Sequence, residues 1–251
     1  MRMVLLTALG VGGSTVVGAL LGFMFRKIPH KWNDIILSFA AGVMLCAAIT
    51  GLIFPAVEQT GLRGIWQVVL GVLAGAAFLN LMDRLVPHLH HLSGLDREAH
   101  THNGSVDKVL LFVLAIAIHN LPEGMAAGVS FGGEDTGRAL SVALGIMAQN
   151  IPEGMVVISP MLLAGISRPR TLLIAMFTGL IEVVGTLIGY AAGTASALVL
   201  PFLLAFAGGT MLYVICDEMI PETHSHGFER PASYALLVGF LLMLVLSVAM
   251  G

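Results

Sequence analysis

Long apolar segments dominate this chain and decide what it can fold into. Eight stretches each hold about 20 apolar residues, enough for an α-helix to cross a hydrocarbon core of roughly 30 Å. Spanning segments must be helical because lipid offers the backbone no hydrogen bonds, and only 11% of the residues are charged. The sequence therefore predicts an all-α integral membrane protein with eight transmembrane helices, near residues 3–25, 34–57, 64–86, 109–131, 138–163, 171–194, 199–221 and 232–250.

Lysine and arginine are distributed unevenly between the two sides of the predicted membrane. Nine of the 12 lie in the loops after spans one, three, five and seven, and the other three are Arg2, Arg63 and Arg138. Because basic residues favour the cytoplasmic side, both termini are expected outside. We expect a multi-pass protein of the plasma membrane (the inner membrane in a bacterium) that lies in the lipid bilayer. The net charge of -3 excludes a basic surface for nucleic acid.

Two sequence repeats indicate internal symmetry. The segment FAAGVML from Phe39 resembles FAGGTML from Phe206, and the motif NxPEGM occurs at Asn120 and again at Asn150. In the eight-span arrangement the members of each pair run in opposite directions, as in the inverted repeats of many transporters. Chance similarity of small-residue helices is the alternative for the first pair. We expect one transporter domain over 1–251, with spans 1–3 and 6–8 as inverted repeats around a central pair, spans 4 and 5.

Polar residues cluster in the middle of the central pair. Residues four apart share a helix face, which pairs a histidine with a glutamate in span four and a glutamine with a glutamate in span five. An asparagine flanks each pair, and span six adds one acid. The set comprises His119, Asn120, Glu123, Gln149, Asn150, Glu153 and Glu182.

One imidazole with several carboxylate and amide oxygens is a ligand set for a divalent cation such as Zn²⁺, Fe²⁺, Mn²⁺ or Cd²⁺. Each ionisable group inside a membrane costs roughly 2.5–3.5 kcal/mol, so Glu123, Glu153 and Glu182 together approach about 10 kcal/mol when unpaired. A bound dication offsets this cost. The alternative is that these side chains only join helices through hydrogen bonds or protonated carboxyl groups.

The motifs HNLPEG from His119 and QNIPEG from Gln149, with MIPETH from Met219 at the end of span seven, resemble the ZIP family (Zrt-, Irt-like proteins) of divalent-metal transporters, in its prokaryotic and GufA-like branch. The resemblance covers essentially the whole chain. It implies transport of zinc, or of cadmium, iron or manganese, into the cytoplasm, with no prosthetic group.

The same resemblance implies a binuclear metal site in mid-membrane. Its first position would use His119, Glu123, Gln149 and Glu153, and its second Asn120, Asn150 and Glu182, with the two central glutamates as bridges. Glu218 and Asp217 would extend an exit path. Because Gln149 and Asn150 replace the histidine and glutamate of eukaryotic HEIPHE-type motifs, a broader metal range is expected.

Two further features concern partners. The loop at 87–108, expected in the cytoplasm, contains His88, His90, His91, His100 and His102. Histidine-rich tracts bind metal, and the family resemblance implies metal capture after release; a solvated loop is the alternative. Glycine-rich faces such as Gly10-x-Gly12-Gly13 and Gly71-x-x-x-Gly75 indicate close helix contacts, within one chain or in a homodimer.

Two other functions compete with transport. A membrane-embedded zinc protease would need HExxH, which the sequence lacks, and a di-iron oxygenase would need several histidines on facing helices. A metal-gated signalling protein would need an output domain, for which the loops are too short. The sequence therefore predicts a transporter, not an enzyme, with a membrane-embedded metalloenzyme as the alternative.

Overall fold

The computed structural model describes residues 1–25, 28–85, 118–163 and 165–250, and its regular structure in these ranges is helical. The predicted all-α class is therefore confirmed for them, whereas the histidine-containing loop at 87–108 lies outside the described residues. The helices are α1 (Arg2–Gly22), α2 (His30–Cys46), α3 (Phe54–Leu85), α4 (described part 118–130), α5 (Thr136–Leu163), α6 (Arg168–Ala195), α7 (Leu200–Val214), α8 (Ile220–Thr223) and α9 (Glu229–Met250).

Six helical segments in the described ranges are long and apolar enough to cross a membrane. One of them, His30–Met82, has 53 residues. At 1.5 Å per residue it would extend about 80 Å, well beyond one hydrocarbon core. Gly61 interrupts it with a φ of 57° and a ψ of -167°, so the loop expected between the second and third predicted spans, at residues 58–63, is reduced to a sharp kink. By length and composition, the chain is an integral, multi-pass membrane protein.

Two wide helical turns interrupt the α-helical geometry at matching places. A π-helical turn, Ala47–Ile53, joins α2 to α3, and a second, Ile215–Met219, joins α7 to α8. Each follows one of the two similar segments that begin at Phe39 and Phe206. Such turns often lie at functional sites, and the second one contains Glu218.

Glycines allow two pairs of helices, α1 with α5 and α4 with α6, to pack backbone against backbone. At each glycine an added Cβ would collide with a main-chain atom of the partner helix. The contacts advance in the same direction along both members of a pair, so both pairs are parallel. They are Gly18 with Ile151 and Gly22 with Met155 for α1 and α5, and Gly185 with Leu121 and Gly189 with Met125 for α6 and α4.

The remaining long helices also pair in parallel. Between α3 and α7 the contacts are Gly71 with Phe202 and Gly75 with Phe206. Between α2 and α9 Gly239 contacts Phe39, and Ser247 of α9 contacts Thr50 in the π-helical turn that follows α2. The glycine face at Gly71 and Gly75 is therefore used inside the chain, and Gly12 likewise packs against the backbone of Gly179. A homodimer stays a prediction.

Candidate functional site

Both copies of the NxPEGM motif lie in unbroken helix. The helical backbone continues through Pro122 in α4 and through Pro152 in α5, so residues four apart lie on one face in each copy, as predicted. Glu123 is only 2% exposed and Gln149 is fully buried. The motif thus places a carboxyl group and a carboxamide in the protein interior.

The carboxylate of Glu182, at the middle of α6, organises one side of the cluster. It is fully buried and accepts hydrogen bonds from the Thr15 hydroxyl at 2.6 Å, from the Asn150 amide at 2.7 Å and from the Asn120 amide. The Asn150 amide also donates to the carbonyl of Val11 at 3.2 Å. The structure therefore brings the three residues of the predicted second metal position together and links α1, α4, α5 and α6 through them.

The glycines that follow the two motif glutamates allow the helices of the cluster to approach each other closely. A Cβ on Gly124 would collide with the backbone of Glu182, and one on Gly154 would collide with the carbonyl of Thr15. Only glycine at these two positions lets α4 and α5 come near enough to α6 and α1 for the side-chain hydrogen bonds to form.

A second part of the cluster lies nearer to the surface. The Nε2 atom of His119 is 2.8 Å from Oε1 of Glu218, and their side chains are 20% and 28% exposed. Glu153 interacts electrostatically with both residues, and Glu123 interacts with Glu153 and Glu182. The predicted first position and the predicted exit residue Glu218 thus form one continuous polar region with the second position.

Several buried oxygen atoms in this region make no hydrogen bond to any described residue. They are Oε2 of Glu123, Oε1 of Gln149 and Oδ1 of Asn150. A buried polar atom without a hydrogen-bond partner lowers stability by about 1–3 kcal/mol. A bound ligand would offset this cost. Carboxylate and amide oxygens are donors that divalent cations accept.

Among the residues that the structure describes, no three histidine, cysteine, aspartate or glutamate side chains stand close enough to hold one metal ion. The hydrogen bonds explain this arrangement. Both oxygens of Glu182 accept from neighbouring side chains, and His119 faces Glu218. To surround a metal ion, these side chains would have to turn toward the oxygens of Glu123 and Gln149 that make no hydrogen bond.

Sequence reasoning missed the contribution of α1, and it included one residue that lies outside the cluster. Thr15 and Val11 bind the cluster directly, and the only signal was a threonine in a glycine-rich stretch without any acid or histidine. Asp217 is exposed, unlike the buried members of the cluster.

The chain is similar to known transporters over most of its length. The profile of the family described as ZIP Zinc transporter matches residues 91–247. The zinc transporter GufA of Myxococcus xanthus is 42% identical over 253 residues, which cover 98% of each chain. The zinc transporter ZIPB of Bordetella bronchiseptica is 37% identical, covering 95% of this chain and 78% of its own, and human zinc transporter ZIP11 is 31% identical, covering 95% and 94%. The chain belongs to the ZIP zinc transporter family.

Proposed function

We propose that this protein carries Zn²⁺, and with it Cd²⁺, Fe²⁺ or Mn²⁺, across the membrane into the cytoplasm. The observation that carries the proposal is a set of buried, unpartnered oxygens on Glu123 of α4 and on Gln149 and Asn150 of α5, a helix long and apolar enough to cross a membrane. Relatives that align over nearly the whole chain are named zinc transporters. The metalloenzyme alternative finds no support among them.

Two ions would bind side by side in this proposal. His119, Glu123, Gln149 and Glu153 would hold the first. Asn120, Asn150 and Glu182 would hold the second, with Glu123 and Glu153 bridging. Glu123 interacts electrostatically with both Glu153 and Glu182, which supports such bridging. Two dications among three carboxylates would relieve the repulsion that these buried acids exert on one another.

The gradient of exposure suggests the direction of release. Glu123 is 2% exposed, His119 is 20% exposed and Glu218 is 28% exposed, so the polar region opens toward the end of α7. The neighbouring Asp217 is exposed on the same turn. With the predicted orientation, in which both termini are outside, this end faces the cytoplasm, and Glu218 with Asp217 would receive the leaving ion.

The eight-span arrangement with inverted repeats is part of the proposal. Thr15 and Glu182 are 167 positions apart, and the same spacing relates Gly18 to Gly185 and Phe39 to Phe206. The contacts of one half recur in the other half, including the pairing of α1 with α5 and of α6 with α4. Repeated packing of this kind supports a pseudo-two-fold axis through the central pair.

The exposed apolar side chains support a lipid bilayer as the partner of the outer helix faces. Large apolar side chains are exposed along α9, where water would penalise them: Leu237, Leu241, Val245 and Val248. In the proposal these side chains contact lipid of the plasma membrane. A homodimer would cover part of this or another apolar face.

Uptake of ⁶⁵Zn²⁺ into proteoliposomes tests the function. We expect the wild type to transport zinc, and Glu123→Gln and Glu153→Gln to reduce the uptake at least about tenfold, since losing a charged ligand weakens binding by more than about 1.4 kcal/mol. Glu229→Gln, at the exposed start of α9, is the matched control and should transport normally. Wild-type vesicles without flux would disprove the function. Full uptake by both motif variants would disprove the site.

A further inference from the structure

Thr15 of α1 differs from several other buried threonines in where its hydroxyl donates. A threonine inside a helix commonly donates to a carbonyl three or four residues earlier in the same helix. Threonines that do so here are Thr178, Thr186, Thr210 and Thr223. Thr15, which is 6% exposed, instead donates at 2.6 Å to Oε1 of Glu182, 167 positions away. Its hydroxyl therefore binds the carboxylate of another helix and not the backbone of its own.

Close helix packing holds the backbone at Thr15 in place. A Cβ added to Gly154 would collide with the carbonyl oxygen of Thr15, so α1 lies directly against α5 beside Glu153. The threonine side chain branches at Cβ and has few rotamers. The position of its hydroxyl is therefore determined by the packed backbone on one side and by the hydrogen bond to Glu182 on the other.

The hydrogen bonds of Glu182 are distributed unequally over its two oxygens. Oε1 accepts from Thr15 and from Asn120, whereas among the described residues Oε2 accepts from Asn150 alone. A carboxylate has about four lone-pair sites on its two oxygens, so Oε1 is saturated and Oε2 keeps one site open. The Oδ1 atom of Asn150 is buried and makes no hydrogen bond to any described residue. Two oxygens that can still accept a ligand therefore belong to residues that contact each other.

We propose that Thr15 is a positioning residue for the second cation: its hydroxyl occupies Oε1 of Glu182 and leaves Oε2 open to the ion. The inference rests on the proposed function, in which Glu182 and Asn150 are ligands of that ion. Thr15 stands in the first half of the chain where Glu182 stands in the second. A second acid at this position would repel the carboxylate of Glu182, whereas a hydroxyl donates to it.

Loss of this hydroxyl should weaken binding of the cation more than it slows the passage. The carboxylate of Glu182 would be held by the two asparagines alone and would have to be ordered again each time an ion binds, which lowers affinity. Release, in the proposed function, depends on groups nearer the surface such as Glu218, which Thr15 does not contact. The half-saturating zinc concentration therefore rises, and the maximal rate changes little.

Uptake of ⁶⁵Zn²⁺ into proteoliposomes over a range of zinc concentrations tests this role. Thr15→Val keeps the shape of the side chain, and we expect it to raise the half-saturating concentration roughly tenfold, the effect of one hydrogen bond to a charged group. Thr15→Ser keeps the hydroxyl and should restore the wild-type value. Thr178→Val is the matched control, because Thr178 is a buried threonine one turn from Glu182 that donates to the carbonyl of Ala175 in its own helix.

Equal half-saturating concentrations in the wild type, in Thr15→Val and in Thr178→Val would overturn the proposal and leave Thr15 as a contact between helices. An increase that Thr15→Ser does not reverse would overturn it as well, since the hydroxyl would not be the cause. Gel filtration checks that each variant is folded, and Thr15→Ala decides the question should Thr15→Val not fold.

Equilibrium binding of ¹⁰⁹Cd²⁺ to the purified full-length protein separates this result from the proposed function. A wild type that binds cadmium without any flux would disprove the function alone, and the cadmium affinities of the Thr15 variants would still decide the role of Thr15. A wild type that transports zinc, together with a Thr15→Val variant of unchanged affinity, would disprove the role of Thr15 alone.

Discussion

The two halves of the molecule share their helix packing but not their polar chemistry. Gly18 meets Ile151 in one half as Gly185 meets Leu121 in the other. At the position equivalent to Glu182, however, the first half carries Thr15, and the two side chains hydrogen-bond to each other. The glycine contacts are therefore similar in the two halves, whereas the carboxylate stands on one side only.

The central pair shows the same contrast. The motif in α4 begins with His119 and the motif in α5 with Gln149, although both continue as an asparagine, a proline and a glutamate. His119 faces Glu218, whereas Gln149 is fully buried and interacts with Glu123. Close packing thus determines where the cluster lies, and in our proposal the unequal side chains determine which cation it binds.

The largest effect is expected from Glu182→Ala. It leaves the donors of Thr15, Asn120 and Asn150 without their acceptor, and each buried unpaired donor costs about 1–3 kcal/mol. We expect a loss of roughly 3 kcal/mol or more in the free energy of unfolding, together with loss of zinc uptake. Thr15→Val, which removes one donor from the other half, should cost only about 1 kcal/mol. Denaturation of the detergent-solubilised protein and proteoliposome uptake measure both, and equal effects of the two variants would contradict the asymmetry.

A smaller and symmetric effect is expected from Gly18→Ala and Gly185→Ala. Each added Cβ collides with the backbone of the partner helix, so each variant should lose about 1–3 kcal/mol of stability, and by similar amounts. Gly13→Ala is the control, because among the described residues no neighbouring side chain or partner helix lies within 4 Å of its Cβ position. It should be neutral or stabilising by up to about 1 kcal/mol through helix propensity. Thermal denaturation checks the signs, and tolerance at only one of the two packed glycines would show that the scaffold is not symmetric.

The smallest effect is expected from Gln149→His, which makes the two motif copies alike. An added imidazole suits zinc, whereas carboxylate and amide oxygens suit manganese. We expect the ratio of zinc to manganese uptake to rise by a few-fold, on the order of 1 kcal/mol. Competition uptake with both metals measures this ratio. An unchanged or lower ratio would mean that residue 149 does not contact the ion.

The sequence predicted the parts of this structure that depend on local periodicity. Spacing by four predicted that His119 shares a helix face with Glu123 and that Gln149 shares one with Glu153, and the unbroken helix through both motifs agrees with this. The bond from Thr15 to Glu182 was not predictable, because it joins residues 167 positions apart and a threonine on a helix carries no sign of its partner. The kink at Gly61 was also missed, since a single glycine with a positive φ replaces a loop. The contact between Asp34 and His226, with 3.1 Å between Oδ1 and Nδ1, likewise depends on tertiary structure alone.

The central claim is that the polar cluster of α4, α5 and α6 binds the transported cation. Anomalous X-ray diffraction from crystals grown with Cd²⁺ tests it most directly. We predict anomalous density between the side chains of Glu123, Gln149 and Glu153, with a second peak beside Asn150 and Glu182. Cadmium density at other places in the protein, with none in this cluster, would contradict the account.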